Sequence, residues 1–150
     1  MDNIANDRKS VAVVQNIFAF PVFGNFTLAD KDVFAFMRAY PDFRDRMPQL
    51  ETEINDSYFK AYSEGIARIA QDSNQRIRSI AKERNIPVLD RMDYVCDRAN
   101  ELCYGVNSNI EKLFYDYGHH TLAGARFFGK RLDQLRWLGV LSSNKIIGTK

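Results

Sequence analysis

Apolar side chains follow one another almost without interruption in residues 11–20, VAVVQNIFAF, and the run stops at Pro21. A run this rich in β-branched and aromatic residues is typical of a strand buried on both faces of a parallel sheet, so we predict a central strand here. The next segment contains the turn-formers Gly24 and Asn25, which predict a loop at the strand end. Open α/β sheets place their functional sites at such ends.

Two helical patterns come next. Apolar positions in residues 29–40 predict a short helix, which Pro41 closes. Between about residues 51 and 84 apolar side chains recur mostly at every third or fourth position, with polar and charged residues between them. This pattern predicts one long amphipathic helix that covers a sheet. Its apolar positions are Ile54, Tyr58, Tyr62, Ile66, Ile69, Ile77 and Ile80.

A second strand is predicted in residues 86–90, IPVLD, directly after a helix stop at Asn85. The order strand, helix, strand implies a parallel crossover unit, because parallel strands need a long connection that is usually helical. The fold class predicted for the chain is therefore α/β.

The last third of the chain begins with an irregular segment, residues 91–113, which carries both cysteines. Thr121 is a predicted N-cap for a final helix that reaches about Trp137. The predicted inner face of this helix consists of Leu122, Ala125, Phe128, Leu132 and Leu135. We expect one domain in residues 1–140 and a flexible tail in residues 141–150.

Both histidines of the chain lie in the segment FYDYGHH, where Asp116 precedes His119 by three residues. At this spacing a carboxylate can fix the imidazole tautomer while the other ring nitrogen takes a proton from a hydroxyl, as in an acyl-transfer triad. The alternative is a polar turn that only leads into a buried helix. The spacing alone leaves both interpretations open.

Composition narrows the functional classes. The 150 residues suit one compact domain, and 45% hydrophobic with 27% charged residues is ordinary for a globular protein. The net charge of +2, from 21 basic and 19 acidic residues, lacks the basic excess of a phosphate-backbone binder, so we expect no nucleic-acid partner. No apolar run is long enough to span a bilayer, and the polar N-terminus does not resemble a signal sequence.

The two cysteines, Cys96 and Cys103, are close enough in sequence for a local disulfide, although two free thiols remain an equal alternative. With His119 and His120 they also supply four possible zinc ligands. The C-x6-C spacing and the adjacent histidines argue against a zinc site, so we expect no metal and no cofactor.

The pattern Asp116-x-x-His119-x-Thr121-x-x-Gly124-Ala125 resembles the D-x-x-H-[hydrophobic]-[Ser/Thr]-x-x-G-A block that closes SGNH hydrolase-like domains. The chain looks most like the SGNH domains fused behind membrane-bound O-acyltransferases that modify surface polysaccharides. The similarity covers about residues 60–137. It implies a partial three-layer α/β/α, flavodoxin-like fold with a short parallel sheet.

The resemblance implies that His119 is the general base and Asp116 its orienting acid. His120 stands where the family has an aliphatic residue, so it is a departure from the pattern and a spare candidate. Gly24 and Asn25 are interpreted either as a degraded oxyanion loop or as a plain turn.

The family's Gly-Asp-Ser nucleophile block has no counterpart in this chain. Ser57 and Ser73 follow aspartates but fall inside the predicted long helix, and Ser10 precedes the first strand. The resemblance therefore implies that the chain is the C-terminal portion of an SGNH domain. The strand that carries the serine, and a membrane acyltransferase region, are then expected upstream in a longer protein or in a neighbouring reading frame.

Two functions are predicted on this basis. The first is part of an O-acyltransferase or esterase that acts on a carbohydrate or acyl-ester substrate, and the second is a non-catalytic remnant or interaction domain. In a longer membrane protein the chain is expected to be periplasmic or extracytoplasmic, with Cys96 and Cys103 oxidised to a disulfide. Expressed alone, it is expected to be cytoplasmic.

Overall fold

A computed structural model of the chain describes residues 11–16, 18–65 and 68–143. Strand β1 (Val13–Val14) pairs in parallel with β4 (Val88–Leu89), with Val13 opposite Val88. Backbone N–H groups of Val13 and Gln15 donate to carbonyls of Pro87 and Leu89, each at 2.9 Å. The predicted α/β class and the parallel crossover are confirmed.

The first strand is much shorter than the predicted run of residues 11–20, and Ile17 lies outside the described residues. Burial on both faces is also wrong, since Val14 is 46% exposed. In the described part of the chain β1 pairs with one strand, β4, and the face of this small sheet that carries Val14 is not covered by a second layer. The apolar run beyond it enters the core instead as irregular chain, with Phe18 and Phe20 buried.

A hairpin and a helix follow Pro21. Strands β2 (Val22–Phe23) and β3 (Phe26–Thr27) pair antiparallel, and helix α1 spans Leu28–Ala39, which confirms the predicted short helix. Thr27 caps α1 in a capping box: its hydroxyl accepts from the Asp30 N–H at 3.3 Å, while Asp30 accepts from the Thr27 N–H at 2.9 Å. The N-terminal end of α1 is thereby fixed beside the hairpin.

The predicted single long helix is wrong. A short 3-10 helix, Phe43–Arg46, leads into α2 (Met47–Ser63), and α3 (Arg68–Glu83) is a separate helix. The break falls at Gly65, whose φ of 65° is in the left-handed region that stops an α-helix. Of the predicted apolar positions, Ile66 and the side chain of Ile69 lie outside the described residues, and Ile80 is 53% exposed.

Helix α3 ends as predicted. Asn85 has a left-handed φ of 54°, and the Ile86 N–H donates to the Ala81 carbonyl at 2.8 Å while the Asn85 N–H donates to the Lys82 carbonyl at 3.2 Å. These two bonds form a Schellman motif, which turns the chain directly into β4.

The segment predicted to be irregular contains a short helix and a hairpin. Helix α4 (Met92–Val95) is followed by β5 (Cys96–Asp97) and β6 (Leu102–Cys103), an antiparallel pair in which Cys96 lies opposite Cys103. Past this hairpin, the buried side chain of Asn55 in α2 accepts from the N–H groups of Gly105 and Val106, at 2.8 and 3.1 Å. This amide ties α2 to the chain that leads to the histidines.

The last long helix, α5 (Leu122–Gln134), begins at the predicted cap, because the Thr121 hydroxyl accepts from the Gly124 N–H at 2.9 Å. A Cβ added at Gly124 would lie 2.0 Å from the Leu113 carbonyl oxygen, so only glycine permits this close approach. The predicted inner face is right at Phe128 but wrong at Leu122, which is 69% exposed.

The three remaining side chains of the predicted inner face of α5 differ in burial. Leu132 packs against the core as predicted, whereas Ala125 and Leu135 are exposed. Helix α6 (Gly139–Ser143) includes the first residues of the predicted flexible tail, and residues 144–150 lie outside the described residues.

The core is aromatic and lies between α2, α5 and the loop that carries the histidines. Phe20, Tyr58 and Phe114 have ring centroids 4.6 to 6.0 Å apart, and Phe128 meets Phe114 at 5.5 Å. All four side chains are at most 2% exposed. The site described next is therefore built directly on this close-packed aromatic core.

Candidate active site

The Asp116–His119 turn is closed by its own backbone. Phe114 and His120 form an isolated antiparallel bridge, and the Tyr115 N–H donates to the His119 carbonyl at 3.0 Å. One oxygen of Asp116, Oδ1, accepts from the N–H groups of Gly118 and His119, at 2.9 and 2.8 Å. Aspartate is suited to such a turn because its short side chain reaches the backbone two and three residues ahead.

The other Asp116 oxygen faces the imidazole. Oδ2 lies 2.7 Å from His119 Nδ1, so a ring protonated on Nδ1 donates to the carboxylate. The side chain of His119 is 57% exposed, and with Nδ1 engaged the other nitrogen, Nε2, is the one available for proton transfer. The structure thus brings together the two side chains that the sequence singled out.

The electrostatics favour a charged carboxylate. Burial acts to raise the pKa of Asp116, but the backbone N–H groups of Gly118 and His119 and the His119 ring outweigh it and lower that pKa below its usual value. An ionised Asp116 is the form that can accept both backbone hydrogen bonds and hold the imidazole in the Nδ1–H tautomer.

Two tyrosines that the sequence reasoning passed over flank the imidazole. The Tyr115 ring stacks on the His119 ring at 5.5 Å and an interplanar angle of 15°, and Tyr117 meets it edge-on, also at 5.5 Å. Both tyrosines are exposed. The signal available in the sequence was the pair of tyrosines on either side of Asp116.

Other contacts anchor the turn to the rest of the fold. The Phe20 N–H donates to the Tyr117 carbonyl at 2.8 Å, which joins the turn to the chain leaving β1. Before the turn, Lys112 Nζ donates to both carboxylate oxygens of Asp30 at 2.8 and 2.9 Å, and its carbonyl accepts from the Thr121 hydroxyl at 2.5 Å. The Asp116–His119 pair is thus held between the chain that leaves β1 and the start of α5.

His120 points the opposite way. Its ring lies among Tyr94, Phe114 and Phe128, with centroid distances of 6.1, 5.0 and 4.6 Å, and neither ring nitrogen has a hydrogen-bond partner. Burial, followed by the electrostatic effects of Arg91 and of the neighbouring His119, lowers the pKa of His120 to about 4; the Leu113 backbone opposes this weakly, without a hydrogen bond of good geometry to either ring nitrogen. Of the two histidines, His120 is the one turned away from Asp116.

Gly24 and Asn25 form the turn between β2 and β3. Gly24 has a left-handed φ of 64°, and both residues are exposed. Among the described residues, no hydrogen bond joins this turn to Asp116 or His119. A role for Gly24 and Asn25 as oxyanion donors stays a prediction.

The two cysteines are joined to each other as a disulfide across the β5–β6 pair. Within the described residues no group of three or more histidine, cysteine or acidic side chains is placed to hold a metal ion.

Among the described residues no serine hydroxyl is hydrogen-bonded to His119, whose side chain is hydrogen-bonded to Asp116. Ser57 lies in α2 and Ser73 in α3, as the sequence indicated, and neither is hydrogen-bonded to His119. Ser10 lies outside the described residues.

Within residues 11–16, 18–65 and 68–143, no helix has the length and apolar character needed to cross a bilayer.

The structure combines a parallel crossover with a carboxylate–imidazole pair on the turn before the last long helix. The class of domain, hydrolase- or acyltransferase-like, follows from a family match. The family model described as "SGNH domain (fused to AT3 domains)" matches residues 30–134, which is more than half of the chain. The chain belongs to this SGNH family. Comparisons with curated proteins and with solved structures found no match.

Proposed function

We propose that this chain supplies the histidine and the aspartate of a Ser-His-Asp centre that transfers or hydrolyses an acyl group on a carbohydrate hydroxyl. The observation that carries the proposal is the 2.7 Å contact between Asp116 Oδ2 and His119 Nδ1, on a turn whose backbone already satisfies Asp116 Oδ1. Membership of the SGNH family supports the same chemistry.

In the proposed mechanism, His119 Nε2 takes the proton of a serine hydroxyl as that oxygen attacks the ester carbonyl, and it later returns the proton to the leaving alkoxide. Asp116 stays ionised, holds the ring and stabilises the imidazolium. The serine comes from a Gly-Asp-Ser segment upstream in a longer protein or in a neighbouring reading frame. A membrane acyltransferase region is proposed to supply the acyl group, because domains of this family are fused to AT3 domains.

We further propose that the domain works outside the cytoplasm, where the Cys96–Cys103 disulfide is stable. A second candidate function is a non-catalytic interaction domain. It is favoured by the absence, among the described residues, of a serine hydroxyl at His119 and of a Gly-Asp-Ser block in the sequence. The two candidates differ in whether Asp116 and His119 are used for turnover.

Kinetics of the complete enzyme test the first candidate. In a protein that includes the upstream serine, His119→Ala should lower kcat by several orders of magnitude, and Asp116→Asn should cost less but still a large factor. His120→Leu is the matched control, because the family carries an aliphatic residue there, and it should leave kcat nearly unchanged. Equal activity in all three variants would support the non-catalytic candidate.

A second measurement needs no nucleophile. Nitrogen-15 NMR of the histidine ring in the 150-residue chain should find neutral His119 mainly as the Nδ1–H tautomer, and Asp116→Asn should abolish that preference. The same chain should hydrolyse a short acyl ester no faster than background. Turnover that Ser57→Ala removes would mean that the nucleophile has been misplaced.

A further inference from the structure

Three phenylalanine rings lie on the surface of the β2–β3 hairpin and helix α1. Phe23, Phe26 and Phe34 are 43%, 52% and 58% exposed, and we name these three residues the aromatic patch. Phe23 lies opposite Phe26 in the hairpin register, and the rings of Phe26 and Phe34 meet edge to face at 5.7 Å. Single exposed apolar side chains are ordinary, but neighbouring exposed aromatics are typical of an interaction surface.

Positive charge borders the aromatic patch. Lys31 Nζ lies 4.5 Å from the centre of the Phe23 ring, and Arg38 follows Lys31 by two helical turns, on the same face of α1. Phe34 lies between the two cations along that face. Two carboxylates of α1 lie nearby. Asp30 is already paired with Lys112 at 2.8 Å, and Asp32, which interacts with Lys31, is half-buried and has its pKa raised by burial, so it opposes the charge of Lys31 less than an exposed aspartate would.

We propose that the aromatic patch, with Lys31 and Arg38, docks on the surface of an anionic lipid bilayer. Aromatic rings partition into the headgroup boundary, and lysine or arginine beside them meets the lipid phosphates, so this combination is the chemistry of interfacial binding. Charge complementarity therefore selects the occupant. This family is fused to AT3 domains. In the resemblance described above, these are membrane-bound acyltransferases, so a domain fused to one would lie close to a bilayer.

Docking here has a consequence for orientation. The hairpin follows Phe20, whose N–H is hydrogen-bonded to the Tyr117 carbonyl of the Asp116–His119 turn. A surface that holds the hairpin therefore holds that turn at a fixed angle to the membrane. The proposal does not depend on turnover, because it rests on the surface of the hairpin and α1 and on the fusion of this family to AT3 domains.

Vesicle co-sedimentation of the 150-residue chain tests the proposal. The chain should bind vesicles that mix phosphatidylglycerol with phosphatidylcholine, and bind pure phosphatidylcholine much less. The Phe23→Ser/Phe26→Ser double variant should lower the partition coefficient about tenfold, since two half-buried rings are removed from the interface. Lys31→Glu/Arg38→Glu should abolish the preference for phosphatidylglycerol and its sensitivity to salt.

The matched control is Leu135→Ser/Leu138→Ser, which removes two apolar side chains of similar exposure, 48% and 53%, outside the aromatic patch. It should bind as the unmodified chain does, and circular dichroism should give the same fold for all variants. The proposal is overturned if the unmodified chain ignores anionic vesicles, or if the control loses as much binding as the phenylalanine variant. A dimer in light scattering that only Phe23→Ser/Phe26→Ser dissociates would assign the surface to a second copy instead.

Discussion

Replacing His120 by leucine should stabilise the domain, and the gain should grow as the pH falls. The imidazole is buried among aromatic rings with both nitrogens unpartnered, and an orphaned buried polar group costs about 1 to 3 kcal/mol. Because the ring is only partly buried, we expect the low end of that range, about 1 kcal/mol, at neutral pH. Leucine fills a similar space and asks for no hydrogen bond.

The pH dependence follows from the lowered pKa. His120 has a pKa of about 4 in the folded chain, against an ordinary histidine pKa of 6.5, so between those values the unfolded chain binds the proton and the folded chain does not. The free energy of unfolding therefore falls as the pH drops through this window, and the decline ends below about 4. The shift corresponds to an upper bound of about 3 kcal/mol, which partial exposure reduces to about 1 to 2 kcal/mol.

Urea denaturation followed by circular dichroism measures this effect. The quantity compared is the free energy of unfolding of the His120→Leu variant minus that of the unmodified chain, from neutral pH down to about 4, the pKa of His120 in the folded chain. Taking the difference removes the acid loss that carboxylates such as Asp116 contribute to both. His119→Gln is the matched control, since it removes the exposed imidazole and should not reproduce the gain. A His120→Leu protein that is less stable at neutral pH, or whose difference from the unmodified chain does not change with pH, would refute the reasoning.

Three further predictions concern stability. Gly124→Ala should destabilise the fold by about 2 to 3 kcal/mol, because the added Cβ would meet the Leu113 carbonyl. Gly129→Ala in the same helix is the control: its Cβ enters open space, so the variant should be neutral or slightly stabilising. Equal changes in the melting temperature of the two variants would contradict the close approach at Gly124. Cys96→Ser should cost about 2 to 3 kcal/mol in denaturation without reductant, and two alkylatable thiols in native protein, seen by mass spectrometry, would count against it. Asn55→Ala should cost about 3 kcal/mol in the same assay by orphaning buried backbone N–H groups, and a loss below about 1 kcal/mol would mean that water replaces the amide.

Features that depend on a few neighbouring residues were predictable from the sequence. Thr121 caps α5 and Asn85 ends α3 because each function needs only one residue type at one backbone conformation. The contact between Asp116 and His119 belongs to the same group, since a three-residue spacing on a turn brings the side chains together without help from the rest of the fold.

Features that depend on tertiary packing were not predictable in this way. The periodic apolar pattern continued through Gly65, although its left-handed backbone ends α2. The inner face of α5 is set by the backbone approach at Gly124, which turns Gly124 and Phe128 inward and leaves the larger Leu122 exposed. Hydrophobic periodicity considers only how apolar each side chain is. It therefore gives no weight to a glycine such as Gly124, which allows a helix to pack closely against a neighbouring backbone.

The closed turn around Asp116 also bears on how the Ser-His-Asp centre proposed above can be assembled. The acid and the base are three residues apart and share hydrogen bonds with the backbone between them, so their geometry forms at low loop-closure cost and needs no distant segment. A nucleophile arriving from elsewhere has only to meet one exposed imidazole edge. In the proposed centre the proton-handling half is therefore a self-contained part, which can be separated in sequence, or even in another polypeptide, from the serine that it would serve.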